Sequence, residues 1–436
     1  MTRSVAVPFA FALLAACGDH AAVREAEAHP PAAVPAAAAA SQQQPCDPGN
    51  GGITLPAGFC ATVFADVSGG GRPRHVAIAP NGDVYVGLEG RSGGGVLALR
   101  DTNRDGKADQ QERFGTRPGT GIAIADGWLY HGTAEAILRW RLAPGRLAPA
   151  GEPQTIVGGL PTGGHSAKTI AVGRGGLFVN VGSRTNACQR ADRVAGSPGV
   201  DPCTELETRA GIWRFDATRP NQTQAVGERF ATGIRNAVAI TLAPNGQLWA
   251  AQHGRDQLHD NWPALYDQRK SAENPAEELL AVNRGDDFGW PYCFYDVDLR
   301  RLVLAPEYGG RGGEAGRCAR KKAPVTAFPG HWAPEAVAFY TGTQFPARYR
   351  GGVFVSFHGS WNRAPLPQEG FRVAFVPARG GRPGGAYETF ADGFAGANPG
   401  QGAAHRPMGL AVAPDGALFI TDDGGGRIWR VVWRGR

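Results

Sequence analysis

The sequence predicts an all-β chain that folds as a six-bladed β-propeller with long inter-strand insertions. One hairpin pattern returns six times after residue 70, and its turns are rich in Asn-Gly and Asp-Gly. The 436 residues include 64 glycines and 33 prolines, which favour many turns over long helices. Hydrophobic residues make up 42% of the chain, enough for a sizeable core. The formal net charge of +6 comes from scattered arginines, so we expect no nucleic-acid partner.

Each copy of the pattern is an alternating apolar run, a turn and a second alternating run, as in a β-hairpin. The copies are RHVAIAPNGDVYVGLE from Arg74, TGIAIADGWLYHGTAE from Thr120, KTIAVGRGGLFVNVGS from Lys168, NAVAITLAPNGQLWAAQHG from Asn236, EAVAFYTGTQFPARYRGGVFVSFHG from Glu335 and MGLAVAPDGALFITDDG from Met408. A third strand follows several copies, for example GGVLALRD and GRIWRVVW. Six units of three to four strands indicate a propeller. A β-sandwich or two separate all-β domains are the alternatives.

The N-terminal segment is typical of an exported lipoprotein. A short basic start precedes an apolar stretch over residues 5–16, which is too short to span a bilayer but fits a signal peptide. The sequence LAAC ending at Cys17 resembles a bacterial lipobox, so we expect residues 1–16 to be removed and Cys17 to be lipidated. The alternative is an ordinary signal peptide cut near an A-x-A site.

Residues 17–45 are rich in Ala, Pro and Gln, and we interpret them as a tether that leads to a propeller domain over residues 46–436. The expected location is the periplasmic face of a bacterial membrane. Gly18 is not the usual signal for retention at the inner membrane, so the outer membrane is favoured.

The chain has seven cysteines, and removing Cys17 leaves an even set of six. An even set is compatible with an oxidising compartment. Six cysteines allow fifteen pairings, and proximity along the chain favours three of them. These are Cys46–Cys60, Cys188–Cys203 and Cys293–Cys318.

The stretch DTNRDGKADQQE, residues 101–112, has the spacing of a calcium-binding loop. Oxygen-bearing residues occupy positions 1, 3 and 5, glycine occupies position 6, and acids occupy positions 9 and 12. The candidate ligands are Asp101, Asn103, Asp105, the carbonyl of Lys107, Asp109 and Glu112. We expect a structural calcium loop on a β-hairpin, with a metal-free polar turn as the alternative.

Polar residues stand at equivalent ends of the repeated strands, which in a propeller face the same end of the central funnel. The second strands lead into Glu89, His131, Ser183-Arg184, His253-Gly254, His358-Gly359 and Asp422-Asp423, and the first strands are preceded by or begin at His75, His165, Arg235-Asn236 and Arg406. Six blades that contribute polar groups to one funnel predict a ligand site there.

Several of these residues lie in motifs that resemble the pyrroloquinoline quinone (PQQ)-dependent soluble glucose/sorbosone dehydrogenase family. The motifs are GGHSAKTIAV around His165, GIRN with Arg235 and Asn236, FGWPYCF from Phe288, HGSWNR from His358, RPMGLAVAPDG from Arg406 and ITDDGGGRIWRV from Ile420. The last three are similar to its sorbosone dehydrogenase-like branch. The resemblance covers most of the chain after residue 50.

The resemblance implies a PQQ- and calcium-dependent dehydrogenase that oxidises a sugar. It implies that His165 is the general base, since an imidazole titrates near operating pH. Arg235 would contact the quinone oxygen and Asn236 the cofactor. Backbone carbonyls at the positions of Gly254 and Arg255 would bind calcium.

The resemblance also implies cationic anchors for the three carboxylates of PQQ, and Arg363 and Arg406 are the best matches. Trp361 would cover the quinone face or a sugar, with a place in the core as the alternative. Electrons would leave to a cytochrome or quinone acceptor.

One position departs from the family. Its glucose enzymes have an aspartate that orients the catalytic histidine, and Ser183 stands there instead. Two other functional hypotheses stay open at this point. One is a non-catalytic propeller that binds a sugar or partner at the membrane surface, and the other is a calcium-dependent lactonase.

Overall fold

The computed structural model describes residues 46–67, 69–90, 93–174, 176–400 and 402–435. The expected signal peptide, the lipidation site Cys17 and the expected tether lie outside the described residues. The described chain forms six sheets of four or five strands arranged as a ring, besides two two-stranded hairpins, which confirms the predicted six-bladed propeller.

The strands follow one another blade by blade, except that the first strand, β1 (Phe59–Asp66), belongs to the last blade. The first blade consists of β2 (Arg72–Ile78), β3 (Val84–Glu89), β4 (Gly95–Arg100) and β5 (Gln110–Phe114). The second consists of β6 (Gly119–Ala125), β7 (Trp128–Thr133), β8 (Ile137–Arg141) and β9 (Gln154–Gly158). The third contains β10 (Ile170–Gly173), β11 (Gly176–Val181) and β12 (Gly211–Phe215). The short strand β13 (Gln222–Thr223) comes next in the sequence but pairs with β9 of the second blade, and β14 (Glu228–Thr232) then completes the third blade.

The fourth and fifth blades carry additional strands in their insertions, whereas the strands of the sixth are joined by short connections. The fourth blade begins with β15 (Ala239–Leu242), β16 (Leu248–Gln252) and β17 (Glu277–Val282). The short strand β18 (Asp286–Asp287) follows and pairs with β14, and β19 (Cys293–Asp296) and β20 (Arg301–Leu304) form a separate hairpin. The outer strand of this blade is β21 (Thr326–Phe328). The fifth contains β22 (Pro334–Phe339), β23 (Val353–Phe357), β24 (Arg372–Val376), the small hairpin β25 (Ala378–Arg379) and β26 (Arg382–Pro383), and β27 (Glu388–Ala391). The sixth contains β28 (Pro407–Val412), β29 (Leu418–Asp422) and β30 (Arg427–Trp433).

In the part of the chain that the structure describes, helical structure is confined to short segments of the connections. The two α-helices are α1 (Leu258–Asn261) and α2 (Gln268–Glu273), both in the insertion between β16 and β17. The 3₁₀ segments are Pro48–Gly52, Thr204–Glu207, Gln224–Val226, Pro306–Tyr308, Gly316–Arg320 and Ala347–Tyr349. Within the described ranges, no helix is both long and apolar enough to cross a membrane.

The core is divided among the junctions between neighbouring blades. The inner strands β2, β6, β10, β15, β22 and β28 contact one another in this order and close back onto β2. A buried apolar cluster lies at each of the six junctions, because every strand presents side chains on both faces of its sheet to the next blade. Removing one blade would therefore expose two of these clusters.

The ring is closed by the first strand. β1 pairs antiparallel with β30, from Phe59 opposite Trp433 to Asp66 opposite Arg427. The sixth sheet therefore joins the two ends of the described chain.

The three predicted disulfides are confirmed. Their Cα–Cα distances are 5.5 Å for Cys46–Cys60, 6.2 Å for Cys188–Cys203 and 5.7 Å for Cys293–Cys318. The first fastens the start of the described chain to β1, and the other two lie in the insertions of the third and fourth blades.

Candidate active site

Polar residues gather at one end of the ring because of the hairpin geometry of each blade. The first two strands of a blade are antiparallel, so the start of one lies beside the end of the other. The residues that the sequence placed before the first strands and after the second strands therefore meet at the same end of the molecule. We call this end the funnel.

His165 is held at the funnel by Ser183, which follows β11. The Nδ1 atom of His165 lies 2.9 Å from the Ser183 carbonyl oxygen and 3.0 Å from the Ser183 hydroxyl. The backbone N–H of His165 donates to the same carbonyl at 3.0 Å, and the Ser183 hydroxyl donates to the Thr185 carbonyl at 2.7 Å. Ser183 thus orients the imidazole through its main chain, in place of the aspartate of the glucose enzymes.

These contacts fix the tautomer of His165. A carbonyl oxygen only accepts hydrogen bonds, so Nδ1 carries the proton and Nε2 keeps its lone pair. Burial lowers the pKa of His165 to about 3, and the positive charge of Arg235 adds to this effect. His165 is therefore a neutral imidazole at physiological pH, with Nε2 available as a proton acceptor. The expectation that this imidazole titrates near operating pH is wrong, because burial and Arg235 disfavour its charged form.

Gly182 allows His165 and Asn236 to approach the end of β11. A Cβ atom at Gly182 would lie 2.6 Å from the His165 Cβ and 2.9 Å from the Asn236 Oδ1. Asn180 Nδ2 in turn donates to Asn236 Oδ1 at 3.3 Å. His165 and Asn236 can therefore occupy these positions only because residue 182 is a glycine.

Arg235 is buried, with 3% of its surface exposed, and its guanidinium is surrounded by protein acceptors. Nη2 donates to the Asp256 carboxylate at 2.8 Å, and Nη1 donates to the Gly254 carbonyl at 2.9 Å. Nε and Nη2 also bond to the backbone carbonyl and the side chain of Asn186, at 3.2 and 3.1 Å. Ser183 N–H donates to the Arg235 carbonyl at 2.7 Å, which connects Arg235 to the support of His165.

Asp256 is the centre of this network. Its carboxylate accepts from Arg193 Nη2 at 2.7 Å and from Asn362 Nδ2 at 2.6 Å, besides Arg235. Burial opposes ionisation of Asp256, but the charge of Arg235 outweighs it and holds the pKa below its ordinary value. Asp256 is therefore ionised and neutralises the buried arginine.

The two predicted calcium-binding positions follow β16. The Gly254 N–H donates to Glu277 Oε2 at 2.8 Å, and burial raises the pKa of Glu277 to about 8. The side chain of Arg255 forms a buried ion pair with Glu307. Within the described ranges, no three His, Cys, Asp or Glu side chains are grouped closely enough to hold a metal ion.

A second network joins residues of the first, fifth and sixth blades at the funnel. Arg74 pairs with Asp423, and its Nε lies 3.0 Å from Glu89 Oε2. His358 Nε2 lies 2.6 Å from Asp423 Oδ1, and Arg406 Nη1 lies 3.3 Å from His358 Nδ1. Burial disfavours the charged form of His358, but the hydrogen bond to Asp423 outweighs this and raises the pKa of the imidazole.

The loop after His358 contains the remaining predicted contacts. Arg363 is buried, and its guanidinium donates to the carbonyls of Ala272, Gly330 and Pro367. Trp361 has 58% of its surface exposed, so its alternative assignment to the core is wrong. Asn362, which lies between Trp361 and Arg363 in the sequence, donates a hydrogen bond to the Asp256 carboxylate.

The predicted calcium loop lies on the hairpin between β4 and β5, as expected. The Asp101 carboxylate accepts from the N–H of Asp105 and of Gly106, at 3.2 and 2.8 Å. The Asp109 carboxylate accepts from Thr102 at the start of the loop, and Glu112 lies in β5 and is exposed. Calcium binding by Asp101, Asn103, Asp105, Lys107, Asp109 and Glu112 stays a prediction.

The family described as TrAA12-like matches residues 53–434. The chain belongs to the TrAA12-like family. The expected resemblance to PQQ-dependent sugar dehydrogenases is confirmed by this match and by the relatives that follow.

Among curated proteins, this TrAA12-like chain is 25% identical over 339 residues to a PQQ-dependent pyranose dehydrogenase of Coprinopsis cinerea, which covers 66% of this chain and 42% of that protein. It is 28% identical over 209 residues to an uncharacterised protein of Borreliella burgdorferi, covering 47% of this chain and 49% of the relative. The chain thus spans about half the length of the curated relatives it matches.

Two solved structures share the fold. One is the holo form of the pyranose dehydrogenase PQQ domain from Coprinopsis cinerea, with a TM-score of 0.70, 20% identity and coverage of 87% of this chain and 97% of that one. The other is a calcium structure of a family AA12 enzyme from Trichoderma reesei, with a TM-score of 0.70, 18% identity and coverage of 88% and 97%.

Sequence reasoning missed two functional candidates of the TrAA12-like chain. Asp256 lies between β16 and α1, where the sequence predicts only backbone ligands at Gly254 and Arg255, and Arg74 is predicted only as the start of a repeat. Arg74 meets Asp423 across 349 positions of sequence. A charged residue inside the inner strand β2 was the available signal for Arg74, whereas Asp256 had none.

Proposed function

We propose that the chain is a PQQ-dependent dehydrogenase that oxidises a hydroxyl group of a sugar at the funnel. The proposal is supported by membership of the TrAA12-like family and by similarity to a PQQ-dependent pyranose dehydrogenase. The observation that carries it is the state of His165: its Nδ1 proton is committed to Ser183, which leaves Nε2 as a base at the funnel.

The chemistry of the funnel residues fits an anionic cofactor. Arg74, Arg406 and His358 lie together in one network, and Arg235 lies beside His165 in the other. Arginine side chains match carboxylates well because their planar head groups donate several hydrogen bonds in a fixed geometry. Arg406 would hold a cofactor carboxylate, and Asn236 would contact the cofactor. Arg363, already bonded to three backbone carbonyls, would act by positioning the loop that carries Trp361.

In the proposed reaction, bound PQQ supplies a quinone that accepts the hydride from the sugar carbon. His165 accepts the hydroxyl proton at Nε2, while Ser183 keeps the ring in place through Nδ1. Arg235 stabilises negative charge that develops nearby, and its position is fixed by Asp256 and Gly254. Because burial keeps His165 neutral, its Nε2 carries no proton at physiological pH and can accept the hydroxyl proton.

We also propose that a calcium ion binds at the funnel. The carbonyl oxygens of Gly254 and Arg255 would bind it together with oxygens of the cofactor. The Gly254 carbonyl accepts one hydrogen bond from Arg235, and a carbonyl oxygen has a second lone pair.

We further propose that the chain is attached to the periplasmic face of a bacterial membrane through Cys17, and that a cytochrome or quinone receives its electrons.

The test is reconstitution with PQQ and calcium, followed by dye reduction with a panel of aldoses. We expect PQQ to bind at micromolar concentration and at least one sugar to reduce the dye. His165→Asn should lower kcat about 100-fold or more, as loss of a general base does, and should leave PQQ binding in place. His259→Gln, a histidine of α1 outside the funnel, is the matched control. Failure of the wild-type protein to bind PQQ would refute the proposal.

A further inference from the structure

The third blade carries its insertion, residues 182–210, directly after β11, the strand that leads to the support of His165. The Cys188–Cys203 disulfide closes this insertion on itself, with its Cα atoms 6.2 Å apart. The 3₁₀ segment Thr204–Glu207 follows the disulfide at once, so the cross-link brings this segment close to the first residues of the insertion. Residues that are 20 and 21 positions apart in the sequence therefore meet beside His165.

One carboxylate of this 3₁₀ segment holds the two residues that follow Ser183. Glu205 Oε2 accepts hydrogen bonds from the backbone N–H of Arg184 at 2.6 Å and of Thr185 at 3.3 Å. The Thr185 hydroxyl donates to Glu205 Oε1. Hydrogen bonds to a charged acceptor are stronger than those between neutral groups. Glu205 therefore fixes the backbone of residues 184 and 185 with both of its carboxylate oxygens.

The same backbone reaches His165 through Ser183. The Thr185 carbonyl accepts a hydrogen bond from the Ser183 hydroxyl at 2.7 Å, and that hydroxyl oxygen lies 3.0 Å from His165 Nδ1. Because the hydroxyl proton is committed to Thr185, a lone pair of Ser183 Oγ faces the Nδ1 proton. The Ser183 carbonyl oxygen, 2.9 Å from Nδ1, accepts from the same N–H. Thr185 and Ser183 thus connect Glu205 to the imidazole.

Two further contacts make His165 sensitive to the position of residues 184 and 185. The backbone N–H of Cys188 donates to Thr185 Oγ1 at 3.0 Å, which polarises the hydroxyl that donates to Glu205. Gly164, the residue before His165, packs against Arg184: a Cβ atom at Gly164 would lie 2.3 Å from the Arg184 carbonyl oxygen. A shift of this backbone would therefore disturb both the ring of His165 and the main chain that carries it.

We propose that Glu205 is a positioning residue for His165 and supplies the carboxylate that the glucose enzymes have in place of Ser183. The inference rests on the proposed function for the role of His165 as the base. Glu205 acts by fixing Thr185, whose carbonyl orients the Ser183 hydroxyl. In Glu205→Gln one oxygen becomes an NH₂ group, which only donates and so cannot accept from the backbone N–H groups or the Thr185 hydroxyl. Ser183 then loses its fixed acceptor, and the imidazole is free to turn.

The experiment compares wild type with Glu205→Gln and Thr185→Val. Each variant has a matched control: Glu207→Gln removes the charge of an exposed glutamate in the same 3₁₀ segment, and Thr185→Ser keeps the hydroxyl that Thr185→Val removes. Dye reduction with PQQ, calcium and the aldose that wild type oxidises fastest gives kcat and KM. Titration with PQQ gives its Kd, and thermal unfolding verifies that each variant is folded.

A second measurement follows the imidazole directly and needs no cofactor. Nitrogen-15 NMR of the histidine rings reports which ring nitrogen carries the proton, and the signals of His165 are assigned by their loss in His165→Asn. In wild type we expect the Nδ1–H tautomer alone, because Nδ1 donates to Ser183. In Glu205→Gln we expect a mixture of the two tautomers.

We expect Glu205→Gln and Thr185→Val to lower kcat about 10-fold or more, because a misaligned base reacts slowly, while KM and the Kd of PQQ stay within about twofold. The two control variants should match wild type. In a His165→Asn background, Glu205→Gln should cause no further loss, since the base that it positions is absent.

A wild-type kcat, or an unchanged tautomer, in folded Glu205→Gln would overturn the inference. An equal further loss of kcat in the His165→Asn background would also overturn it, because a merely structural role predicts that result. If Glu205→Gln does not fold, the comparison of Thr185→Val with Thr185→Ser decides in its place. If wild type binds no PQQ, the proposed function fails, and the tautomer of His165 alone then decides whether Glu205 positions the ring.

Discussion

Replacing Asp256 by asparagine should destabilise the protein strongly, because it leaves a buried guanidinium without its counter-charge. The side chains of Arg235 and Asp256 are only 4% and 15% exposed, and the pair is joined at 2.8 Å. Asn keeps the shape of the side chain and one acceptor oxygen, so the change removes charge rather than volume.

The expected cost follows from burial. Removing one partner of a buried ion pair costs about 3–5 kcal/mol, since the other charge stays desolvated. Arg193, the second cation on Asp256, has 34% of its side chain exposed and can return to water. Its contribution is therefore that of a surface pair, at most about 1 kcal/mol. The sum places Asp256→Asn at about 3–6 kcal/mol of lost stability.

The assay is equilibrium unfolding in guanidinium chloride with the disulfides intact. Asp201→Asn is the matched control, because Asp201 pairs with Arg317 at 2.6 Å but both side chains are 40% or more exposed. We expect the control to lose at most about 1 kcal/mol. A second variant, Arg235→Met with Asp256→Leu, should recover much of the loss, as apolar replacement of both buried partners often does. An Asp256→Asn cost no larger than that of the control would refute the reasoning.

Three further predictions concern packing, cross-linking and pH. Gly182→Ala should lower kcat/KM about 10-fold or more, because the new Cβ would lie 2.6 Å from that of His165; wild-type kinetics would contradict the packing argument. Replacing both Cys293 and Cys318 by serine should cost about 3 kcal/mol in denaturant unfolding, since it frees a loop spanning 25 positions, and a loss below about 1 kcal/mol would show that the insertion is held by other contacts. Unfolding midpoints should rise between pH 4.5 and 6.5 and fall above pH 6.5. Burial lowers the pKa of five histidines, so unfolding takes up protons below pH 6.5; burial raises the pKa of three glutamates to about 7 or 8, so unfolding releases protons above pH 4.5, and the histidines outnumber the glutamates where the two effects overlap. The groups are His75, His131, His165, His253, His331, Glu277, Glu278 and Glu335. Midpoints that fall steadily from pH 4.5 to 8 would contradict this balance.

The inner parts of the blades could be predicted from the sequence, whereas their outer edges could not. Most of the first two strands of each blade are covered on both faces, so they form detectable apolar runs joined by turns. An outer strand such as β5 is almost fully exposed and carries the polar sequence QQERF, which has no apolar period to detect. β1 was missed for another reason: its partner β30 lies at the opposite end of the sequence.

The same distinction applies to the candidate site. His165, Arg235 and Asn236 were predicted because short motifs surround them. The support of His165 could not be predicted, because it comes from the backbone carbonyl of Ser183, and any residue type supplies a carbonyl. Asp256 reaches Asn362 across 106 positions, and only the folded ring shows which charges are neutralised.

The closure of the sixth blade has a consequence for how the molecule is made. β1 is synthesised near the start of the described chain, but its partner β30 is among the last segments to leave the ribosome. Until then, β1 has an unpaired edge, and the apolar faces at the junctions of the sixth blade stay uncovered. Contacts of such long range form slowly. The propeller therefore cannot close until the final residues have been synthesised. Until then, we expect the blades that are synthesised first to remain sensitive to proteases. A nascent chain that stops before Arg427 should remain protease-sensitive at Phe59–Asp66, however many earlier blades have formed.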